Sequence, residues 1–273
     1  MDARRAWSSV RLGAALVVSF VSPVCLAASY RTTNFEVKAP TAEAARKVGD
    51  HAEECRRTIA VAWLGRELDD WARPCPIQVK ITGGEAGGVT SFGFDRGRVS
   101  DQSMTVEGRL DRILASSLPH EITHTIFAAF FGGPMPRWAD EGASLLSEDR
   151  RELGRHDQIA ADLVARRGEI SLAELFVIDE YPKDLMAFYG QGYSISRFLV
   201  EIGGRPRFLR FVRDGLRSGW DQATLDHYGL ADVRELDRAW RSWHRGLMAD
   251  RRTPPLHDPV LAYGDLQADH PVN

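Results

Sequence analysis

The sequence predicts an α+β fold: a small mixed sheet in the N-terminal part, packed on one long helix, followed by a mostly α-helical second half. Three observations predict it. Short β-branched or alternating runs at 34–37, 77–81, 91–94, 98–100 and 104–107 all precede residue 109. Helical periodicity fills 41–64 and 109–131. Beyond Glu141 the chain reads as helix throughout, over about 149–167, 189–202, 205–215, 221–228 and 232–248, with breaks such as Gly203-Gly204. The expected organisation is an N-terminal α/β subdomain over 28–131, a helical C-terminal subdomain over 132–248 and a poorly ordered tail over 249–273, rich in proline.

Residues 1–27 read as an export signal. Arg4, Arg5 and Arg11 make a basic start, 12–21 is a short apolar core, and Cys25-Leu26-Ala27 after Pro23 is a small-x-small cleavage pattern that leaves Ala28 first. The apolar run falls short of the roughly 20 residues that a membrane span needs. The expected location is exported, periplasmic or extracellular, with no stable membrane insertion after cleavage. Removing three arginines and one aspartate moves the formal charge from −3 to −5. With no polybasic run, nucleic acid is a poor partner. Cleavage also leaves two cysteines, Cys55 and Cys75, and an even pair in an exported chain predicts one disulfide, worth roughly 3 kcal/mol. Nothing in the sequence specifies an oligomeric state.

The elements follow in order. Residues 34–37 form a first strand. Thr41 is placed to N-cap the next helix, whose apolar stripe runs through Ala44, Val48, Ala52 and Ile59. The glycine-rich stretch 82–88 lacks a following Gly-Lys-Ser/Thr and so is a loop without a phosphate-cradling role. Asp95-Arg96-Gly97 is a three-residue hairpin signal. Residues 104–107 suit a short edge strand, to which an extended peptide could add by backbone hydrogen bonding. Pro119 then predicts either a bend near 115–118 or a junction of two helices with the proline in the first turn of the second.

The stretch His120-Glu121-Ile122-Thr123-His124 carries the most chemistry. Histidines four apart share one face of a helix, so both imidazoles can reach one ion. A chain of this composition produces such a match by chance only about 0.01 times. Ile122, Ile126, Ala129 and Phe130 fall on the opposite face for packing, while Phe127 and Phe131 continue the histidine face as an apolar wall. Gly132-Gly133-Pro134 ends the helix. A catalytic zinc site takes three protein ligands and keeps a fourth position open. From His124 the helix advances roughly 10 Å to Phe131, and a second helix from about Pro136 returns roughly 7.5 Å by Glu141, which brings that carboxylate level with His124. Asp140 is the alternative third ligand. Arg137 and Trp138 either line the pocket or lock the turn. His51, His156, His227, His244, His257 and His270 have no ligand partner at helical spacing and are expected at the surface. Trp240 and Trp243 read as packing residues.

Followed by Trp138-Ala139-Asp140-Glu141-Gly142, this motif resembles the gluzincin branch of the zinc metallopeptidases, the peptidase-MA-like group. The specific likeness covers about residues 109–147, a looser one extends to about 248, and the whole chain resembles a small secreted bacterial member. The resemblance implies a zincin-like catalytic domain, one Zn2+ per chain held by His120, His124 and Glu141, and Glu121 as general base. It implies a peptide or protein substrate. The segment Tyr189-Gly190-Gln191-Gly192-Tyr193 resembles the Tyr-x-x-Gly segment of the aminopeptidase branch, which implies an oxyanion role for Tyr189, with Tyr193 as runner-up. No Gly-x-Met-Glu-Asn segment is present, so the aminopeptidase specificity does not carry over. The expected function is therefore a secreted zinc peptidase, most simply an endopeptidase. The competing expectation is a catalytically inactive zinc-binding secreted scaffold or binding protein.

Overall fold

The structure, a computed structural model, describes residues 27–178 and 183–249. The segment expected to be an export signal, apart from Ala27, and the proline-rich tail beyond Ala249 lie outside the described residues, as do His257 and His270. The chain is α+β. Strands β1 (Ala28–Arg31) and β2 (Phe35–Ala39) lead into helix α1 (Ala42–Leu64), which crosses over to β3 (Cys75–Ile81). Strands β4 (Gly87–Asp95) and β5 (Arg98–Gly108) form a hairpin. The spatial order is β1-β2-β3-β5-β4, with β2, β3 and β5 parallel and both outer strands antiparallel to their neighbours.

Local chemistry accounts for these elements. Thr41 Oγ1 accepts from the Ala44 amide at 3.1 Å, so α1 starts at the expected cap. Its stripe of Ala44, Val48, Ala52 and Ile59 is buried against the sheet's Phe35, Val37, Ile77 and Val79, all in one core. The β4–β5 turn is tighter than the sequence suggests. Asp95 pairs with Arg98, leaving two central residues, and both Arg96 and Gly97 have positive φ (50° and 75°), as a type I′ turn requires.

One strand assignment is corrected. Residues 104–107 are not an edge but the second half of β5, paired to β3 on one side and β4 on the other. The sequence splits this strand because Asp101, Gln102 and Ser103 are polar; β3 pairs only with Met104–Gly108, so those three residues meet β4 alone. The edge strands of the sheet are β1 and β4, and β4 is the one beside β5.

The disulfide expectation is also corrected. Cys55 and Cys75 are both free and buried. Cys55 Sγ lies 3.4 Å from His51 Nε2, while Cys75 Sγ turns to its own neighbour, the Pro76 carbonyl, at 3.7 Å. Each thiol is committed to a local partner within the core.

After β5 a single helical path carries the site. A short α2 (Leu110–Arg112) widens into a π turn over Ile113–Ser117 and narrows again into α3 (Leu118–Phe131). Pro119 falls in the first turn of α3 and has no N–H to offer the preceding wide turn, whose Leu114 carbonyl is met by His51 Nε2 at 2.9 Å instead. Gly132 caps α3 in the left-handed region with φ 63°, and its amide donates to Ala128 O at 2.9 Å. A Cβ there would stand 2.1 Å from Gly97 O, so the hairpin tip sits against the helix end. The second half consists of α4 (Arg137–Ser144), a 3-10 turn (Leu145–Ser147), α5 (Arg150–Ala165), α6 (Leu172–Leu175), α7 (Leu185–Gly203), α8 (Arg205–Ser218), α9 (Trp220–Tyr228) and α10 (Val233–Ala249). It shares one continuous core with the sheet half; Trp63 of α1 meets Phe127 of α3 edge-on at 4.9 Å and Phe208 of α8 at 5.8 Å. Among the described residues, no helix is long and apolar enough to cross a membrane.

Candidate metal centre

Helix α3 presents His120 and His124 on one face, with ring centroids 4.8 Å apart. Helix α4 lies across them because two glycines let helices approach. A Cβ on Gly142 would meet Gly192 O of α7 at 2.1 Å, and one on Gly192 would meet Trp138 O at 2.7 Å. Trp138 anchors the other side of α4, wholly buried and stacked on Phe176 at 4.4 Å. It therefore locks the turn, whereas Arg137 lines the adjacent cleft.

This placement brings Glu141 between the two imidazoles. Its Oε2 is 3.5 Å from His120 Nε2 and 3.8 Å from His124 Nε2. A tetrahedral ion with bonds of about 2.1 Å sets its ligand atoms about 3.4 Å apart. The two Glu141 distances are close to that value, and all three donors lie within 4.8 Å of one another. Their side chains keep 13, 11 and 20% exposure, so a fourth position faces a path to solvent.

The far nitrogens are held by other carboxylates. His120 Nδ1 pairs with Glu148 Oε1 at 2.8 Å, and His124 Nδ1 with Asp140 Oδ1 at 2.7 Å, with Ser144 Oγ also 3.3 Å away. With Nδ1 engaged by an acid on the outside, Nε2 is the atom of each ring that faces Glu141 and that a metal ion would take once it has lost its proton. Asp140, the alternative third ligand, is placed on the outer nitrogen instead. Glu148 reaches His120 because the 3-10 turn ends in an extended residue there (φ −83°, ψ 168°), and Ser116 Oγ donates to its other oxygen at 3.0 Å. Thr123 Oγ1, bonded to Ser147 Oγ at 2.7 Å, ties that turn to α3. Arg112 pairs with Asp149 and Glu152 and pins the following segment.

The charges follow from this packing. Burial alone would depress His120, but hydrogen bonds to Glu141 and Glu148 carry it well above its ordinary value. Burial opposes protonation of His124 in the same way, and Asp140 raises it. Burial would raise Glu148, yet the bond to His120 holds its carboxyl low. In the absence of a cation the cluster prefers protons, which is the behaviour of a site built around excess negative charge.

Glu121 points to the sheet side of α3. It is 4% exposed, its Oε2 accepts from Thr90 Oγ1 of β4 at 2.6 Å, and it fills the space a side chain on Gly88 would need, 2.6 Å from the position of that Cβ. The edge strand therefore crosses the motif helix at its acid. Tyr193 is buried and donates to Asp157 Oδ1 at 3.0 Å, the oxygen that Arg197 also holds at 2.7 Å. Tyr189 is half-buried with its ring 6.0 Å from that of Phe188 and does not line the cleft beside the cluster.

Several side chains depart from the sequence expectation. Ala129 is exposed rather than packed. His244 is buried against Ser194, His227 pairs with Asp214 at 2.9 Å and His51 with the Leu114 carbonyl at 2.9 Å, so these histidines are structural and not superficial. His156 is half-buried, its ring 5.6 Å from Tyr193. Trp240 is fully buried and Trp243 packs on Phe198, as expected of packing residues. Glu148 and Thr90 were not singled out by the sequence. The only signal for Glu148 is an acid seven residues after Glu141, and for Thr90 there is none.

Beside the cluster, a cavity of about 510 Å³ opens between β4, the end of α3 and the start of α4. His124, Asp140 and Glu141 form one end of it. No family model and no curated protein sequence matches the chain.

Proposed function

We propose that this chain is an exported zinc-dependent peptidase of the gluzincin type, with a zincin-like catalytic domain, acting as an endopeptidase. The observation that carries the reading is the convergence of two Nε2 atoms and one carboxylate oxygen at 3.5 and 3.8 Å, with each imidazole fixed from behind by an acid. Three nitrogen and oxygen donors with outer carboxylates are the donor chemistry of a catalytic zinc site. When bound there, zinc would supply Lewis acidity and bring the pKa of a bound water towards about 7.

The chain's own residues do the rest. Glu121 takes a proton from the attacking water at the oxygen that Thr90 does not hold, then delivers it to the leaving amine. Glu148 and Asp140 keep the histidine rings oriented. Tyr189 is the phenol that the family resemblance assigns to the oxyanion, and Tyr189→Phe tests that part separately. A second reading, a zinc-binding secreted protein without turnover, is favoured by the engagement of Glu121 with Thr90.

The deciding experiment uses residues 28–273, measuring zinc content and cleavage of a mixed peptide library. About one zinc in wild type and in Glu121→Gln, less in Glu141→Ala, with cleavage only by wild type, is the expected result. Zinc bound by wild type without any cleavage would select the second reading. No zinc uptake would remove both.

A further inference from the structure

We propose that the cavity beside the cluster is a specificity pocket that receives a large apolar side chain, aromatic or branched aliphatic, of a peptide held across His120, His124 and Glu141. This rests on the peptidase reading for its substrate but on separate residues for its selectivity.

The cavity is continuous with the candidate centre, since His124 and Glu141 close one end. Away from the polar end formed by His124, Arg137, Asp140 and Glu141, its wall is apolar and comes from five parts of the chain: Phe92 and Phe94 of β4, Phe127 of α3, Met135 before α4, Phe176 after α6 and Leu216 of α8. Phe92 and Phe94 are two apart on the edge strand, with ring centroids 6.0 Å apart, so one face of β4 points into the space. The β4–β5 register shifts at Gly93/Phe94, where Ser100 is the extra residue; such bulges re-aim side chains beside sites. Phe94 is 37% and Leu216 53% exposed, an apolar rim facing water. About 510 Å³ with aromatic walls falls within the usual range of ligand pockets and exceeds what one side chain fills. An apolar side chain dehydrates this surface, whereas glycine leaves it wet.

The test uses two blocked hexapeptides, one with a central Phe-Leu and one with Gly-Gly in its place. Calorimetry with zinc-loaded Glu121→Gln measures binding without turnover, and mass spectrometry with wild type measures cleavage. The Phe-Leu peptide is expected to bind about 10- to 100-fold tighter and to be cleaved with the same preference. Gly133 lines the cavity, and a Cβ there meets no atom within 4 Å, so the side chain of Gly133→Phe starts from open space and narrows the cavity. It should erase most of the preference while leaving zinc content and melting temperature unchanged. Leu216→Ser, at the exposed rim, should reduce it by a smaller factor. Equal binding of the two peptides, or an unaltered preference in Gly133→Phe, overturns the pocket and leaves the peptidase reading standing. Selective binding with no cleavage by wild type keeps the pocket and overturns the peptidase reading.

Discussion

Thr90 Oγ1 donates to Glu121 Oε2 at 2.6 Å, so the acid of the motif helix is held from the edge strand of the sheet. A buried carboxylate keeps one orientation only if its oxygens are satisfied, and at 4% exposure Glu121 has little water to turn to. Thr90→Val removes the hydroxyl at constant shape. Turnover should fall about 10- to 100-fold, the worth of a hydrogen bond to a charged group, with KM and zinc content unchanged. Thr90→Ser should restore most of the rate. A Thr90→Val variant that turns over peptide as fast as wild type would mean that the strand does not position the acid.

In the proposed zinc site, Glu148 and Asp140 would act on the metal through the imidazoles. Each accepts from an Nδ1, at 2.8 and 2.7 Å. Glu148→Gln keeps the shape and an acceptor but removes the charge. Zinc affinity, measured by competition with a chelator, should fall about 10- to 100-fold. Asp140→Asn should do likewise, and Asp140→Asn retaining full affinity would place that acid outside the site's support.

The same contacts set a pH dependence. Burial lowers His120, but Glu141 and Glu148 raise it further, so its folded value stands well above the unfolded one. A raised histidine contributes stability that is complete below about pH 6.5 and is lost as pH climbs through the folded value. In chelated protein, this contribution therefore fades on the alkaline side. Zinc needs the neutral ring and displaces that proton, so its own stabilisation grows as the proton becomes easier to remove. The melting-temperature gain from zinc should be larger at about pH 8 than at about pH 6. A gain that shrinks over that interval would argue against His120 as a ligand.

The legible and illegible parts of the site divide by range. His120 and His124 are fixed relative to one another by helical spacing, and Glu141 by a turn whose length the glycines and Pro136 set, so both could be read locally. Glu148 depends on a 3-10 turn and one extended residue, a choice made by the Thr123–Ser147 bond and the Arg112 ion pairs across the chain. Thr90 depends on strand order. β5 inserts between β3 and β4, which pushes β4 to the edge and over Glu121, and no local pattern in residues 87–95 encodes that. The α+β class was readable from periodicity, while β1 was not, being four residues beside the cleavage pattern.

The cysteines test the corrected bridge. Burial pushes Cys75 up to about 12 and Cys55 further, so almost no thiolate is present at neutral pH. Native protein over 28–273 should resist alkylation, and denatured protein should take up one label on each of Cys55 and Cys75. Reductant should leave the melting temperature unchanged. A denatured chain that takes no label until reduced would restore the disulfide.

Gly142 and Gly192 set the distance between α4 and α7, and through it the position of Glu141. A Cβ on Gly142 would stand 2.1 Å from Gly192 O and 2.2 Å from Gly192 C, both backbone atoms that cannot turn aside. Gly142→Ala must therefore push the helices apart. Overpacking of this kind costs about 1–3 kcal/mol, which in a domain of this size lowers the melting temperature by roughly 2–4 °C per kcal/mol. Because Glu141 is the preceding residue, zinc affinity should fall with stability. Gly154 in α5 supplies the comparison, since a Cβ there meets nothing within 4 Å. Gly154→Ala removes backbone freedom from a helix and should stabilise by about 0.5–1 kcal/mol without touching zinc. Equal effects of the two alanines on zinc affinity would mean that the close crossing of α4 and α7 is not what sets Glu141 between the imidazoles.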